Sequence, residues 1–383
     1  MKEPEPLQQV DRTYVRFQGR KLSYFAGCDY FRLASHPQVV AALRSGVKKY
    51  GLNVAASRMT TGNHVLYREL EAAVADFFGA QSAAVVSTGY VTNLVAAQAL
   101  AGRFSHALVD DGVHPSLSDA ARFLDCPVLR FKSRDPAALA AAVRRCGPES
   151  SLVVLTDGMF SNDGSAAPLA DYLKVLPRDA LLLVDDAHGG GVLGRTGKGA
   201  VEHAGISRAR VIQTVTLSKA FGAYGGAILG TARFRQSVLD RSRMFVGSTP
   251  LPLPLANAAL TGVRILKAHP GLRTKLMHNA AYVKAALREA GMPLPDAPGP
   301  IVRVVPQRPS EAARLQRALL RAGIFPSYIK YPGGPASGNF RFVISSEHSR
   351  SQLDRLLRVL SGTPRSARRQ TPGRSCLPPD APG

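Results

Sequence analysis

Cysteine is scarce in this chain: there are four among 383 residues, Cys28, Cys126, Cys146 and Cys376. Their spacing is far too wide for a paired metal site, and nothing in it suggests a disulfide framework. No metal is expected, and reduced thiols in a cytoplasm fit best. Acidic residues are also few, 27 against 49 Lys and Arg, for a formal net charge of +22. A polyanionic partner, such as nucleic acid or a membrane surface, is one reading of that excess. The basic residues are dispersed, however, and no basic region is interleaved with aromatics. A solvated basic surface, on an enzyme whose substrates carry phosphate, suits the pattern better, and no specific nucleic-acid partner is expected. No apolar run is long enough to span a bilayer. The start, Met1 to Pro6, has no apolar stretch and does not read as a signal peptide. There is no internal repeat.

What is present is an ordinary apolar content of 45%, enough for a full core. The length suits two domains, or one large domain with a smaller appendage. Short apolar runs recur between helical stretches: Ala83 to Val86, Ala107 to Val109, Pro127 to Leu129, Leu152 to Leu155, Ala180 to Val184 and Val211 to Leu217. Leu70, Val74, Phe77 and Phe78 recur at helical spacing, and a second helix is expected from Val91 to Leu100. This alternation predicts an α/β domain with a mainly parallel sheet. Pro250, Pro252 and Pro254 suggest a crossing segment. Beyond it, strands are expected at Ile301–Val305 and Phe340–Ile344, with helices over Ser310–Gly323 and around Leu353 to Leu360. The expected divisions are an N-terminal segment (1–42), a large domain (43–270), a smaller α+β domain (271–360) and a disordered basic tail (361–383).

Polar residues cluster after the apolar runs, where open α/β sheets bind ligands. The run from Val211 ends in Thr216, Ser218, Lys219 and Gly222. The run from Ala180 ends in Asp185-Asp186-Ala187-His188-Gly189. An amine on one strand end, with a carboxylate and an imidazole on its neighbour, is the equipment for holding pyridoxal phosphate: a Schiff-base lysine and an acid for the pyridinium nitrogen. Burial would lower the Lys219 pKa, as that chemistry needs. Asp186 reads better as a helix cap. Ser87-Thr88-Gly89-Tyr90, at a strand-to-helix turn, suits a phosphate. His114 is either a loop histidine or an aromatic plane against the cofactor ring. Gly189, Gly191 and Gly194 match dinucleotide spacing only weakly, and Gly197-Lys198 lacks the rest of a P-loop.

These residues, in this order, resemble the α-oxoamine synthases among the fold-type I pyridoxal-phosphate enzymes. The resemblance runs from about Tyr24 to Leu360. It covers Asp29-Tyr30, Ser57-Arg58, Thr61 to His64, Ser87 to Asn93, Asp110 to Ser116, Phe160-Ser161, Val184 to Gly189 and Thr216 to Gly222. It implies a fold-type I transferase, a large domain with a mainly parallel sheet plus a smaller C-terminal α+β domain. Lys219 would carry the cofactor and move the substrate's Cα proton. Asp185 would pair with the ring nitrogen, His188 would contact the phenolic oxygen and His114 would stack on the ring. Thr88, Gly89, Tyr90 and Thr216 would lie at the phosphate, and Ser161 would reach cofactor or substrate. Ser248 and Thr249 would reach the phosphate of a partner subunit, implying a homodimer with shared sites. Arg341 would bind the amino-acid carboxylate.

The implied activity is decarboxylative condensation of a small amino acid with an acyl-CoA or acyl-carrier thioester. Overall pattern and length favour alanine with a pimeloyl thioester. Condensation with glycine or serine and a fold-type I aminotransferase are the alternatives. The chain departs from the family at several places. Cys28, at a position implied to bind substrate, stands where the family usually has an Asn that helps hold it. Gly189-Gly190-Gly191 replaces Gly-Thr-Gly, and Ser165 stands where Asp is common. The loop Tyr331 to Pro335 lacks a frequent threonine, and the N-terminal extension is short.

Overall fold

The structure, a computed structural model, describes residues 5–330 and 337–362. The expectations for the loop Tyr331 to Pro335, and for the tail beyond residue 362, fall outside the described residues.

Three sheets organise the chain. The first is antiparallel: β1 (Gln9–Asp11), β2 (Tyr14–Phe17) and β3 (Arg20–Ser23). Seven strands then make the central sheet: β4 (Ser82–Val86), β5 (His106–Asp110), β6 (Val128–Phe131), β7 (Leu152–Asp157), β8 (Leu181–Asp185), β9 (Val211–Thr216) and β10 (Gly226–Gly230). Their order is β4-β10-β9-β8-β7-β5-β6; β10 runs antiparallel to both its neighbours and the rest are parallel. Last come β11 (Ile301–Val304), β12 (Tyr328–Ile329) and β13 (Asn339–Val343), antiparallel in the order β11-β13-β12.

The sequence explains the central sheet. β7 and β9 are buried at every position, and β8 at all but its first. Helices cover both faces, so these strands read as continuous rather than alternating apolar runs. β10, not anticipated from sequence, is Gly-Ala-Ile-Leu-Gly; its glycine ends and brevity hid it. The helix Val65–Phe78 caps on the His64 side chain and ends on Gly79 in the left-handed region. Pro252 and Pro254 open the helix Leu253–Ala268, where a missing N–H costs nothing.

The first forty residues carry β1–β3 and the start of the helix Pro37–Tyr50. This segment does not stay with the central sheet. Ser23 bridges to Ile324, Val343 N–H donates to the Phe25 carbonyl, and Phe25 is buried with Val302, Phe340 and Phe342. The N-terminal and C-terminal segments therefore share one core. That core delivers residues 28–30 and Arg341 to the rim of the central sheet.

Candidate active site

The parallel register sets the site. Asp157 pairs with Asp185 across β7 and β8, and Asp185 pairs with Thr214 across β8 and β9. Lys219 follows three residues after β9 ends. Three strand ends thus bring two carboxylates and an amine to the carboxyl edge of the sheet. They line a cavity of about 160 Å3 together with Gly89, Tyr90, His114, Ser116, His188 and Thr216. A larger open cleft, about 560 Å3, lies beside Arg134, Ala166–Ala170 and Asp296. None of the strand-end residues Asp157, Asp185 and Lys219 lines it, so the smaller cavity is the candidate site.

Lys219 Nζ lies 2.8 Å from His188 Nε2, and the Tyr30 hydroxyl lies 2.8 Å from His188 Nδ1. Burial, then the Lys219 charge, hold His188 well below its ordinary pKa, so it is neutral near pH 7. Burial also lowers the Lys219 pKa, opposed by the charges of Cys28 and Asp185. Asp185 is fixed from both sides: Oδ2 accepts from Asn93 Nδ2 at 2.6 Å, and Oδ1 accepts from Ala187 N–H at 3.0 Å. Asn93 is held in turn by Thr214, whose hydroxyl donates to Asn93 Oδ1 at 2.6 Å.

His114 caps the helix Pro115–Ala120, with Nδ1 accepting from Ser116 N–H at 3.3 Å. Its backbone N–H donates to Asp157 Oδ1 at 3.1 Å. The ring is exposed at the cavity mouth, yet enough protein surrounds it to lower its pKa by desolvation. Burial, then the charge of Asp185, drive the Asp157 carboxyl well above the carboxylate range.

Thr88 caps the helix Gly89–Leu100, its hydroxyl accepting from Val91 N–H. A Cβ on Gly89 would sit 2.8 Å from Thr216 Oγ1, so only glycine brings this backbone so close to β9. The Thr216 hydroxyl donates to the Gly225 carbonyl at 3.2 Å. Tyr90 is 41% exposed, and its hydroxyl bonds to Asp119.

Arg341 sits on β13, away from these strand ends in sequence. Its Nη1 donates to the Ser161 carbonyl at 3.1 Å, and Nη2 to Cys28 Sγ at 2.8 Å. Cys28, Ser161 and Arg341 are thereby brought together. Ser248 and Thr249 are not brought to the cavity: both are exposed, after the short helix Arg243–Gly247. Asp186 lies beneath the site, fully buried, with Oδ2 accepting from Ala200 N–H and Gln213 Nε2. The first of these bonds serves a helix start, as a cap does. Gly158, Gly189 and Gly199 wrap this carboxylate; a Cβ on Gly199 would meet its oxygen at 1.8 Å.

Sequence reasoning assigned no role to Tyr30, Asn93, Ser116 or Asp157. Asp157 had a usable signal, since it ends an apolar strand just as Asp185 does. Nothing local marks Tyr30 or Asn93, whose partners are 158 and 92 residues away.

An amine, a fixed carboxylate and two imidazoles at the carboxyl edge of a mainly parallel sheet define an enzyme of the fold-type I pyridoxal-phosphate class. A family model described as aminotransferase class I and II matches residues 28–360. The 8-amino-7-oxononanoate synthase of Thioalkalivibrio sulfidiphilus is 37% identical over 365 residues, 94% of this chain and 91% of the relative. A solved serine palmitoyltransferase from S. paucimobilis superposes with a TM-score of 0.87 at 27% identity, over 94% of this chain and 92% of the other. The solved 8-amino-7-oxononanoate synthase from Francisella tularensis gives 0.77 at 25% identity, over 89% and 97%. The chain belongs to the aminotransferase class I and II family, and within it to the pyridoxal-phosphate-dependent α-oxoamine synthases.

Proposed function

We propose that this protein condenses alanine with a pimeloyl thioester, on coenzyme A or a carrier protein, to give 8-amino-7-oxononanoate. The observation that carries the reading is the cavity itself. It has an amine with a lowered pKa at its centre, and a guanidinium held by Cys28 and Ser161 beside it. The 37% identity to a synthase of that name supports the choice of substrates.

The residues fit pyridoxal phosphate. Asp185 would hold the ring nitrogen and His188 the phenolic oxygen, with His114 against the ring face. Thr88, Gly89, Tyr90 and Thr216 would surround the phosphate at the start of the helix Gly89–Leu100, where free N–H groups favour an anion. When bound, the cofactor supplies an electron sink for charge developing at the substrate Cα.

The chain's own groups do the rest. Lys219 would carry the cofactor, and its desolvated Nζ, uncharged more readily than a surface lysine, takes the Cα proton. Asp185, fixed by Asn93 and Ala187, keeps a negative charge where a ring proton is needed. Arg341 turns the amino-acid carboxylate by a bidentate pair. In the overall reaction a bond forms from Cα to the thioester carbonyl carbon as the C–S bond breaks. The Cα–carboxylate bond then breaks, and carbon dioxide leaves.

Ser248, Thr249 and Tyr90 are exposed in the single chain. That supports a homodimer in which Ser248 and Thr249 reach the other subunit's cofactor phosphate. The free thiols of Cys28, Cys126 and Cys146 support work in the cytoplasm.

One observation favours serine as substrate: the backbone superposes better on the serine palmitoyltransferase. Backbone likeness spans the whole family, however, whereas identity reports side chains, and the 37% identity to the Thioalkalivibrio sulfidiphilus synthase favours alanine. The deciding experiment incubates holoenzyme with alanine, glycine or serine and acyl-CoAs of several lengths. Coenzyme A release and a product of 8-amino-7-oxononanoate mass are expected for alanine with pimeloyl-CoA. Preferred release with serine and a long-chain acyl-CoA, or amino transfer without release, overturns the assignment.

A further inference from the structure

Residues 292–300 lie in no helix or strand, and four of the nine are proline. Proline has no N–H, so such a segment has few donors of its own and is held mainly through its carbonyls. The helix Gly271–Glu289 supplies donors for them. Lys284 is buried, and its Nζ donates to the Ala297 carbonyl at 2.7 Å and to the Gly299 carbonyl. Arg288, one turn further on, donates to the Pro295 carbonyl at 3.0 Å. Burial lowers the Lys284 pKa to about 8, so at pH 7 this side chain is charged and can only donate.

The far side of the segment faces the candidate site. Gly299 N–H donates to the Gly164 carbonyl at 2.9 Å. The two glycine backbones touch: a Cβ on Gly299 would sit 2.8 Å from the Gly164 oxygen and 2.5 Å from Met159 Sδ. Met159 itself lines the cavity. The turn that follows is closed by Phe160 N–H on the Ser165 carbonyl at 2.8 Å and by Gly164 N–H on the Phe160 carbonyl at 3.0 Å. Ser161 stands in that turn, and its carbonyl accepts from Arg341 Nη1. The segment also holds the other partner of this bond. Ile344 N–H donates to the Pro300 carbonyl at 2.9 Å, and Ile301 pairs with Val343 on β13, the strand of Arg341.

One segment thus places Ser161 from one side and Arg341 from the other, and Lys284 fixes it from behind. We propose that Lys284 is a positioning residue for the amino-acid carboxylate, acting through residues 297–300 on the Ser161 turn and Arg341. The proposal rests on the carboxylate role of Arg341 given above. It needs no contact that the carboxylate would displace. Each Nη of Arg341 carries two hydrogens, so Nη1 can hold the Ser161 carbonyl and a carboxylate oxygen together. Methionine in place of Lys284 keeps the apolar stem and removes the donors. Two buried carbonyls then lose their partner, and the segment must shift to find others.

The test measures binding of alanine and of alaninol to the holoenzyme, read from the change each makes in the cofactor's visible band. Alaninol carries alanine's amine without its carboxylate. Lys284→Met should raise the Kd for alanine about tenfold. Alaninol should bind as it does to wild type, and cofactor affinity should not change. In an Arg341→Ala background, Lys284→Met should weaken alanine no further. Equal weakening of alanine and alaninol overturns the proposal, because a general loosening of the fold moves both. An unchanged Kd for alanine overturns it too, as does a full further loss in the Arg341→Ala background. If Lys284→Met does not fold, Lys284→Gln, which keeps an amide donor, is judged on the same terms. Arg341→Ala alone tests the reading beneath: if it fails to weaken alanine selectively, the carboxylate role of Arg341 falls and the proposal with it. Selective weakening by Arg341→Ala with none by Lys284→Met overturns the proposal alone.

Discussion

The two walls of the site are built differently. The cofactor wall comes from adjacent strands of one parallel sheet, whose register places Asp157, Asp185 and the Lys219 turn side by side. The carboxylate wall is assembled from Cys28, the Ser161 carbonyl and Arg341, which is 313 residues from Cys28 and 180 from Ser161. The first wall is backed by β7, β8 and β9, buried at all but one position. The second depends on the shared core of the N- and C-terminal segments. In the proposed function, chemistry common to the whole class sits on the sheet, while the choice of substrate sits on the assembled wall. The departure at Cys28 falls on that second wall.

Substitutions should divide along the same line. Lys219→Ala has the largest effect: the visible band disappears, and coenzyme A release falls by about a thousandfold or more. Asp185→Asn removes the fixed negative charge and should lower kcat about a hundredfold, with a displaced absorption band. Arg341→Ala should raise KM for the amino acid by about tenfold to a hundredfold, the worth of a charged hydrogen bond, and leave the band intact. An altered band in Arg341→Ala would break the division between the walls. Gly89→Ala forces a Cβ against Thr216 and should weaken cofactor affinity about tenfold, read by titrating cofactor into the apoprotein.

The smallest effect concerns the carboxylate beneath the first wall. Burial, opposed by hydrogen bonds from Ala200 and Gln213, raises the Asp186 pKa from 3.8 to about 7. The folded state then holds a proton that the unfolded chain has released, so this group's contribution to stability falls as pH rises through that window. Asp186→Asn cannot titrate. Its melting temperature relative to wild type should therefore climb between about pH 4 and about pH 8. A difference independent of pH would contradict the raised pKa.

The first wall was legible in the sequence for a physical reason. A parallel strand buried on both faces is a continuous apolar run, and the polar residue that ends it stands out. Lys219, Asp185 and His188 are all found that way. Asp157 shows the same signal and was passed over. β10 was missed because glycines bound a run of only three apolar residues. The second wall was visible only through family resemblance, since no local pattern joins Cys28 to Arg341. Tyr30 and Asn93 were beyond either route: their roles lie in partners chosen by the fold.

The central claim is that Lys219 is the amine that holds the cofactor. The chain offers a competitor for that chemistry. Lys284 is also buried, with its pKa lowered to about 8, but its ammonium donates to the backbone carbonyls of Ala297 and Gly299. Borohydride reduction of the holoprotein fixes the cofactor on whichever lysine carries it, and peptide mass mapping reads the position. The adduct is predicted on the peptide containing Lys219. An adduct on Lys284, or none on any lysine, contradicts the account.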